Sequence, residues 1–167
     1  ITWSQTSKYD AVYDGKSYNR QYDLDYSSVY IFDNDPDLIN FYLVFKDVPQ
    51  VNMFNDGLGS FAFIGLDYNF DGNDEYSLDV QEITLKTDRS TVQDYAYNRQ
   101  TDKFTSCATG IFTNIDENSN WIGIQVSRSC IGLPKTFDMH GYAEYNDKNN
   151  VGSYDIAPYP SMRVNLP

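Results

Sequence analysis

The sequence predicts an all-β fold, an antiparallel β-sandwich or barrel that forms a single domain over residues 1–167. Aromatic residues make up 16% of the chain and stand with Val, Ile and Thr in short runs, a composition typical of strands. Clusters of Asn, Asp, Gly and Ser, which favour turns, separate these runs. No segment keeps a helical period over three turns. Short strands with frequent turns favour antiparallel pairing over parallel crossovers.

The clearest alternation lies in 76–81, where Leu78 and Val80 share one phase and polar residues occupy the other. We expect residues 1–24, which show little periodicity, to be either a loosely packed arm or the start of a sheet. About ten strands are predicted, at 26–32, 39–46, 60–66, 76–81, 82–87, 91–98, 110–115, 120–127, 136–145 and 161–166.

The charge of the chain limits its partners. Acidic residues outnumber basic ones 24 to 12, which gives a net charge of −12. Nucleic acid and anionic membrane surfaces are therefore not expected as partners. No run reaches the roughly eighteen apolar residues that a membrane-spanning helix requires. The chain starts at Ile1 without an initiator Met or an apolar signal region, so we expect a mature protein that is secreted or at the cell surface.

The two cysteines of the chain are Cys107 and Cys130. An even number of cysteines in an exported protein predicts one disulfide between them. In the chain-entropy model, such a bond would stabilise the fold by about 3 kcal/mol. The alternative is a pair of buried thiols, which would suit a cytosolic protein better.

Segment 67–75 has the sequence DYNFDGNDE, with oxygen-bearing side chains at loop positions 1, 3, 5 and 9 and Gly at position 6. Calcium takes six to eight oxygen ligands, and this spacing around a sharp bend directs several oxygens inward. The sequence therefore predicts a calcium site, with ligands from Asp67, Asn69, Asp71, Asn73 through its backbone carbonyl, and Glu75. An EF-hand would need flanking helices and a Glu at position 12, where Leu78 stands in a strand. The alternative is an Asx-rich hairpin turn without an ion.

Signatures of catalysis are missing from the sequence. The single histidine, His140, is predicted on a sheet surface, and no nucleophile motif such as Gly-x-Ser-x-Gly accompanies it. Met139 and His140 are adjacent in a predicted strand, so they point to opposite faces and cannot clamp a haem together. We therefore expect no enzymatic activity. Glycoside hydrolysis by two facing carboxylates is the weaker alternative.

Trp121 is the candidate ligand-binding residue. In the strand at 120–127, Ile122, Ile124 and Val126 share one phase and Trp121 has the other. If the aliphatic side chains face the core, Trp121 lies exposed near a strand end, where its ring could stack on a sugar. The alternative is that Trp121 covers the disulfide or closes the end of the core.

Five features follow one another along the chain: Asp14-Gly15, strands at 26–32 and 40–46, the loop at 67–75 leading into Tyr76-Ser77-Leu78, and the strand around Trp121. In this order they resemble carbohydrate-binding module family 9 and the related DOMON-like domains. The resemblance implies an extracellular immunoglobulin-like sandwich that binds sugars or haem without catalysis. The predicted fold class is therefore an immunoglobulin-like or jelly-roll β-sandwich. Neither Trp3 nor Trp121 matches the family's sugar-stacking positions, so only fold and secretion are carried over.

The sequence thus favours a non-catalytic extracellular module that binds calcium and either carbohydrate or a surface protein. The alternative is a structural subunit of a surface layer, sheath or filament, which self-associates in a calcium-dependent way. Glycan binding predicts an exposed aromatic platform on a monomer. Assembly predicts apolar contact patches and a calcium-dependent increase in mass.

Overall fold

A computed structural model of the protein describes residues 3–6, 24–31, 35–45, 61–84, 91–105, 112–115, 121–146 and 152–167. Within these ranges every regular element is a strand, and no helix occurs. The strands are β1 (Trp3–Thr6), β2 (Leu24–Ile31), β3 (Leu38–Phe45), β4 (Phe61–Asp67), β5 (Tyr76–Thr84), β6 (Thr91–Asn98), β7 (Lys103–Thr105), β8 (Phe112–Ile115), β9 (Trp121–Ser127), β10 (Thr136–Asn146) and β11 (Gly152–Asn165).

The strands form two antiparallel sheets. Sheet A has the order β1-β2-β3-β9-β8, and sheet B has the order β11-β10-β4-β5-β6-β7. The all-β, antiparallel prediction is confirmed. The described part of the chain contains eleven strands instead of about ten. β7 was not predicted, β1 was left open as the start of a sheet, and the segments at 76–81 and 82–87 form one strand, β5.

One hydrophobic core lies between the two sheets, the arrangement of a β-sandwich. In the strands whose side chains the structure describes, core residues alternate along the chain: Phe41 and Leu43 of β3 are fully buried, as are Ile64 of β4 and Phe137 of β10. The rings of Phe41 and Phe137 meet edge to face across the core, with centroids 6.4 Å apart. The finer prediction of an immunoglobulin-like or jelly-roll topology stays a prediction.

Strand β1 begins sheet A. It pairs with β2, and Trp3 packs against the core. The Gln5 Nε2 group donates a hydrogen bond of 2.7 Å to the carbonyl of Arg163 in β11, which joins the edges of the two sheets. Residues 3–6 are therefore part of the sandwich and not a loose arm. The rest of the predicted arm, at 1–2 and 7–23, lies outside the described residues, while Leu24 belongs to β2.

Residues 128–135 connect β9 to β10, and Asp37 holds this connection in place. Its carboxylate accepts hydrogen bonds from the hydroxyls of Ser127 and Ser129, at 2.5 and 3.1 Å. The bond from Ser127 holds the pKa of Asp37 below its usual value. The connection also contains Cys130. Cys107 lies outside the described residues, so its pairing with Cys130 stays a prediction.

No helix in the described ranges has the length and apolar character needed to cross a membrane.

Candidate metal site

The loop predicted to bind calcium joins two neighbouring strands of sheet B. Asp67 is the last residue of β4, and Tyr76 is the first residue of β5. The loop closes through the backbone, because Glu75 N donates a hydrogen bond of 2.9 Å to the carbonyl of Leu66. The two ends of the loop are therefore positioned by the ladder between β4 and β5.

The bend of the loop uses two residues with positive φ, Phe70 at 64° and Gly72 at 87°. Glycine adopts this conformation readily, whereas a phenylalanine rarely does. The Phe70 ring, 42% exposed, lies against the guanidinium of Arg163, 3.9 Å from the ring centroid. Arg163 of β11 donates two hydrogen bonds, of 2.5 and 3.0 Å, to Asp138 of β10. These contacts fasten the tip of the loop to the edge of sheet B.

Three carboxylates meet inside the loop. Asp67, Asp71 and Glu75 each offer an oxygen, and these oxygens all lie within 4.8 Å of one another. Asp67 and Glu75 are buried, at 6% and 7% exposed, while Asp71 is exposed to solvent. Negative oxygens this close repel one another, and a cation between them would relieve the repulsion. The cluster could therefore hold a metal ion.

Hydrogen bonds from the loop itself aim the two buried carboxylates. Asp67 accepts from the amides of Phe70 and Gly72, at 2.6 and 2.8 Å. Glu75 accepts from the amide of Tyr68 at 2.5 Å and from Asn69 Nδ2 at 2.6 Å. Glu75 also accepts a longer bond of 3.4 Å from Gln100 Nε2. A carboxylate has about four lone-pair sites, so Asp67 and Glu75 each keep at least one for a cation. The carboxylates are thus oriented before any ion arrives.

The two predicted asparagine ligands are hydrogen-bonded to this cluster. Asn69 Oδ1 accepts from the amide of Asp71 at 2.9 Å, and Asn73 donates to Asp71 Oδ1 from its amide and its Nδ2, at 2.8 and 3.1 Å. The structure therefore brings three of the five predicted ligands together as a carboxylate cluster. The roles of Asn69 and Asn73 as ligands stay predictions.

Asp74 turns away from the cluster, although it lies in the same loop. Its Oδ1 is 3.7 Å from Nδ1 of His140, on the outer face of sheet B. Gly65 makes this possible: a Cβ there would lie 2.3 Å from Asp74 Oδ2 and 2.4 Å from His140 Cε1. Burial raises the pKa of Asp74 and lowers the pKa of His140. The predicted place of His140 on a sheet surface is confirmed, since Met139 beside it is fully buried in the core.

Tyr68 joins the loop to the β9–β10 connection. Its ring stacks on Tyr76 with centroids 5.6 Å apart, and its hydroxyl donates a hydrogen bond of 3.0 Å to the carbonyl of Ile131. Burial raises the pKa of Tyr68 far above its usual value. The loop and the segment that contains Cys130 are therefore mechanically linked.

Replacing Tyr68 with Phe tests this link. The ring stays, but the carbonyl of Ile131 loses its donor, so we expect the free energy of unfolding to fall by about 1 kcal/mol. Urea unfolding of the two proteins under identical conditions measures the difference. Equal midpoints and slopes would show that the hydroxyl does not hold the two segments together.

Trp121 stands on the outer face of sheet A. Ile122, Ile124 and Val126 are buried in the core, as the alternation predicted, and the half-buried Trp121 ring contacts Tyr42 edge to face at 5.3 Å between centroids. Tyr42 was not among the residues predicted to bind a ligand. The alternation along β3 already placed Tyr42 on the face away from the core. Its position beside Trp121 depends on the register between β3 and β9, which the sequence does not show.

No family model, curated protein or solved structure matches the chain. The resemblance to carbohydrate-binding module family 9 and DOMON-like domains therefore stays a prediction. The function has to follow from the chemistry of the site and of the surfaces around it.

Proposed function

We propose that the protein is a secreted, non-catalytic β-sandwich module that binds calcium in the loop at 67–75 and carbohydrate on its surface. The observation that carries the calcium proposal is the approach of the three carboxylate oxygens of Asp67, Asp71 and Glu75 within 4.8 Å. They lie in a loop whose ends are held by paired strands. Folding of the sheet therefore brings the three negative charges together before an ion binds.

The donor set favours calcium over other metals. Every ligand proposed here is an oxygen, from Asp67, Asn69, Asp71, Asn73 and Glu75, whereas zinc and copper prefer nitrogen or sulfur. Magnesium demands near-ideal octahedral geometry and keeps several waters. Calcium accepts six to eight oxygens in flexible geometry, and a nine-residue loop with side chains, a backbone carbonyl and water can supply them.

A bound calcium ion would act on stability and not on a reaction. An ion that binds only the folded loop stabilises the folded state by linkage. Because Tyr68 donates to the Ile131 carbonyl, ordering the loop also orders the β9–β10 connection. The proposed role of the ion is therefore to hold one end of the sandwich in a fixed shape.

Two features separate a binding module from a self-assembling subunit. Tyr42 and Trp121 are half-buried and lie together on an outer sheet face, where the exposed part of each ring could stack on a sugar. Assembly by edge pairing would use the edge strands, which in the described part of sheet B are β7 and β11. β11 contains Pro158 and Pro160, which have no N–H to donate and oppose strand addition along that edge. We therefore place the binding module first and calcium-dependent assembly second.

The solution mass separates the two readings. Light scattering on the eluting protein, in excess calcium and then in EGTA, is expected to give a monomer of 19.2 kDa in both conditions. A binding module needs no second copy, so calcium should change stability but not mass. Growth into larger species in calcium, reversed by EGTA, would favour the surface-assembly function instead.

A further inference from the structure

We infer that the outer face of sheet A is the carbohydrate site, and that a neutral sugar chain lies along a row of three rings, Tyr30, Tyr42 and Trp121. This inference rests on the proposed carbohydrate-binding function and names where it resides. These residues come from β2, β3 and β9, three neighbouring strands, so the row crosses the sheet.

The three rings are in continuous contact. Tyr30 and Tyr42 meet edge to face with centroids 5.2 Å apart at 87°, and Tyr42 and Trp121 meet at 5.3 Å and 74°. Tyr42 is therefore nearly perpendicular to both of its neighbours. All three side chains are half-buried, so each keeps part of its surface in contact with solvent. Such a row offers alternating ring faces and edges to the apolar faces of successive sugar units.

Gly123 of β9 leaves room for this row. A Cβ built at Gly123 would lie 2.9 Å from Tyr42 Cε1 and 3.1 Å from Trp121 Cζ3, closer than ordinary packing allows. Both rings thus lean over a strand position that has no side chain. An alanine at this position would push the rings away from their present contact while leaving every ring in the chain.

An unsatisfied amide lies beside the rings. Asn40 stands directly between Tyr30 and Gln125 in the register of the sheet. Its Oδ1 accepts a hydrogen bond of 2.8 Å from Gln125 Nε2, but its Nδ2 has no partner although the residue is only 6% exposed. A buried donor without a partner is costly, and an acceptor brought by a ligand, such as a sugar hydroxyl, would satisfy it after a small adjustment.

The chemistry of the face selects neutral sugars. Among the residues of this face whose side chains the structure describes, the row and its neighbours Asn40, Gly123 and Gln125 carry no charge. The chain as a whole has a net charge of −12, which disfavours acidic polysaccharides. Rings and side-chain amides are the groups that stack on pyranoses and pair with their hydroxyls.

The outer face of sheet B provides a matched control. There Phe63 and Tyr142 stack on each other with centroids 4.9 Å apart at 22°, so these rings largely cover one another. The guanidinium of Arg99 lies over Phe63, and the pair formed by Asp74 and His140 is close by. Among the residues of this face whose side chains the structure describes, the aromatic rings therefore cover one another and stand in a charged surrounding.

The test is affinity electrophoresis in native gels that contain one neutral polysaccharide each: hydroxyethylcellulose, xylan, glucomannan or laminarin. We expect at least one of them to retard the wild-type protein. Trp121→Ala and Tyr42→Ala should each weaken that binding by about tenfold or more, and Gly123→Ala should weaken it with every ring still present. Tyr142→Ala, the control on sheet B, should migrate as the wild type does.

The outcomes distinguish a wrong assignment of the binding face from a wrong assignment of the carbohydrate-binding function. Retardation that persists in Trp121→Ala, Tyr42→Ala and Gly123→Ala would overturn the assignment to this face and leave carbohydrate binding standing. Equal loss in Tyr142→Ala would overturn it as well. A wild-type protein that no gel retards would overturn the carbohydrate function itself.

Discussion

Replacing Asp71 with Ala is expected to remove most of the stabilisation that calcium gives to the wild-type protein. Asp71 supplies one of the three clustered carboxylates and is the exposed member, so its loss leaves the buried core untouched. At a calcium concentration of about 100 times Kd, binding stabilises the fold by about 2.7 kcal/mol. For a domain of this size, that corresponds to a rise in Tm of about 5 to 10 °C. Differential scanning calorimetry in calcium and in EGTA measures it.

Asp74→Ala is the matched control for this experiment. It removes the same charge from the same loop, but the Asp74 carboxylate faces His140 instead of the cluster. The calcium-dependent rise in Tm should therefore survive in Asp74→Ala and disappear in Asp71→Ala. In EGTA, Asp71→Ala should differ little from the wild type in stability, because the loss of one of three repelling charges offsets the loss of two exposed hydrogen bonds from Asn73. Equal calcium responses in the two variants would contradict the assignment of Asp71 as a ligand.

Phe137→Ala is expected to lower the free energy of unfolding by about 3 to 5 kcal/mol. Phe137 in β10 of sheet B is fully buried and meets Phe41 of sheet A, so its removal opens a cavity between the two sheets. Phe70→Ala is the control, because Phe70 is the same residue type at the exposed tip of the loop. Its replacement should change stability by about 1 kcal/mol or less.

Chemical unfolding of the wild type and the two Phe variants in guanidinium chloride gives these differences. Losses of similar size at Phe137 and Phe70 would contradict a single core shared by both sheets. A large loss at Phe137 alone supports the packing of sheet A on sheet B and places the loop at the periphery.

Much of the sheet structure could be predicted, because strand alternation is a local signal. The alternation put Ile122 and Ile124 on one face, opposite Trp121, and that face is the buried one. β7 was missed and β1 was left open between an arm and the start of a sheet, because three and four residues are too few to show a period. β5 was divided in two because its register with β6 shifts between Gln81 and Thr84, which interrupts the alternation.

Part of the candidate site could likewise be predicted from the local sequence, and part depends on tertiary contacts. The ligand spacing from Asp67 to Glu75 was readable because nine residues hold it. The different directions of the Asp71 and Asp74 side chains could not be read from the sequence, because the space for the Asp74 side chain is left by Gly65 in β4. The contact of Tyr42 with Trp121 likewise depends on strands that are distant in sequence and adjacent in the sheet.

Isothermal titration calorimetry of calcium into chelator-treated protein tests the central claim most directly. The claim predicts one calcium ion bound per chain by the wild type, weaker binding of magnesium, and loss of the binding heat in Asp71→Ala with retention in Asp74→Ala. A wild-type protein that takes up no calcium would contradict it, and the loop at 67–75 would then be a hairpin turn held by its own hydrogen bonds.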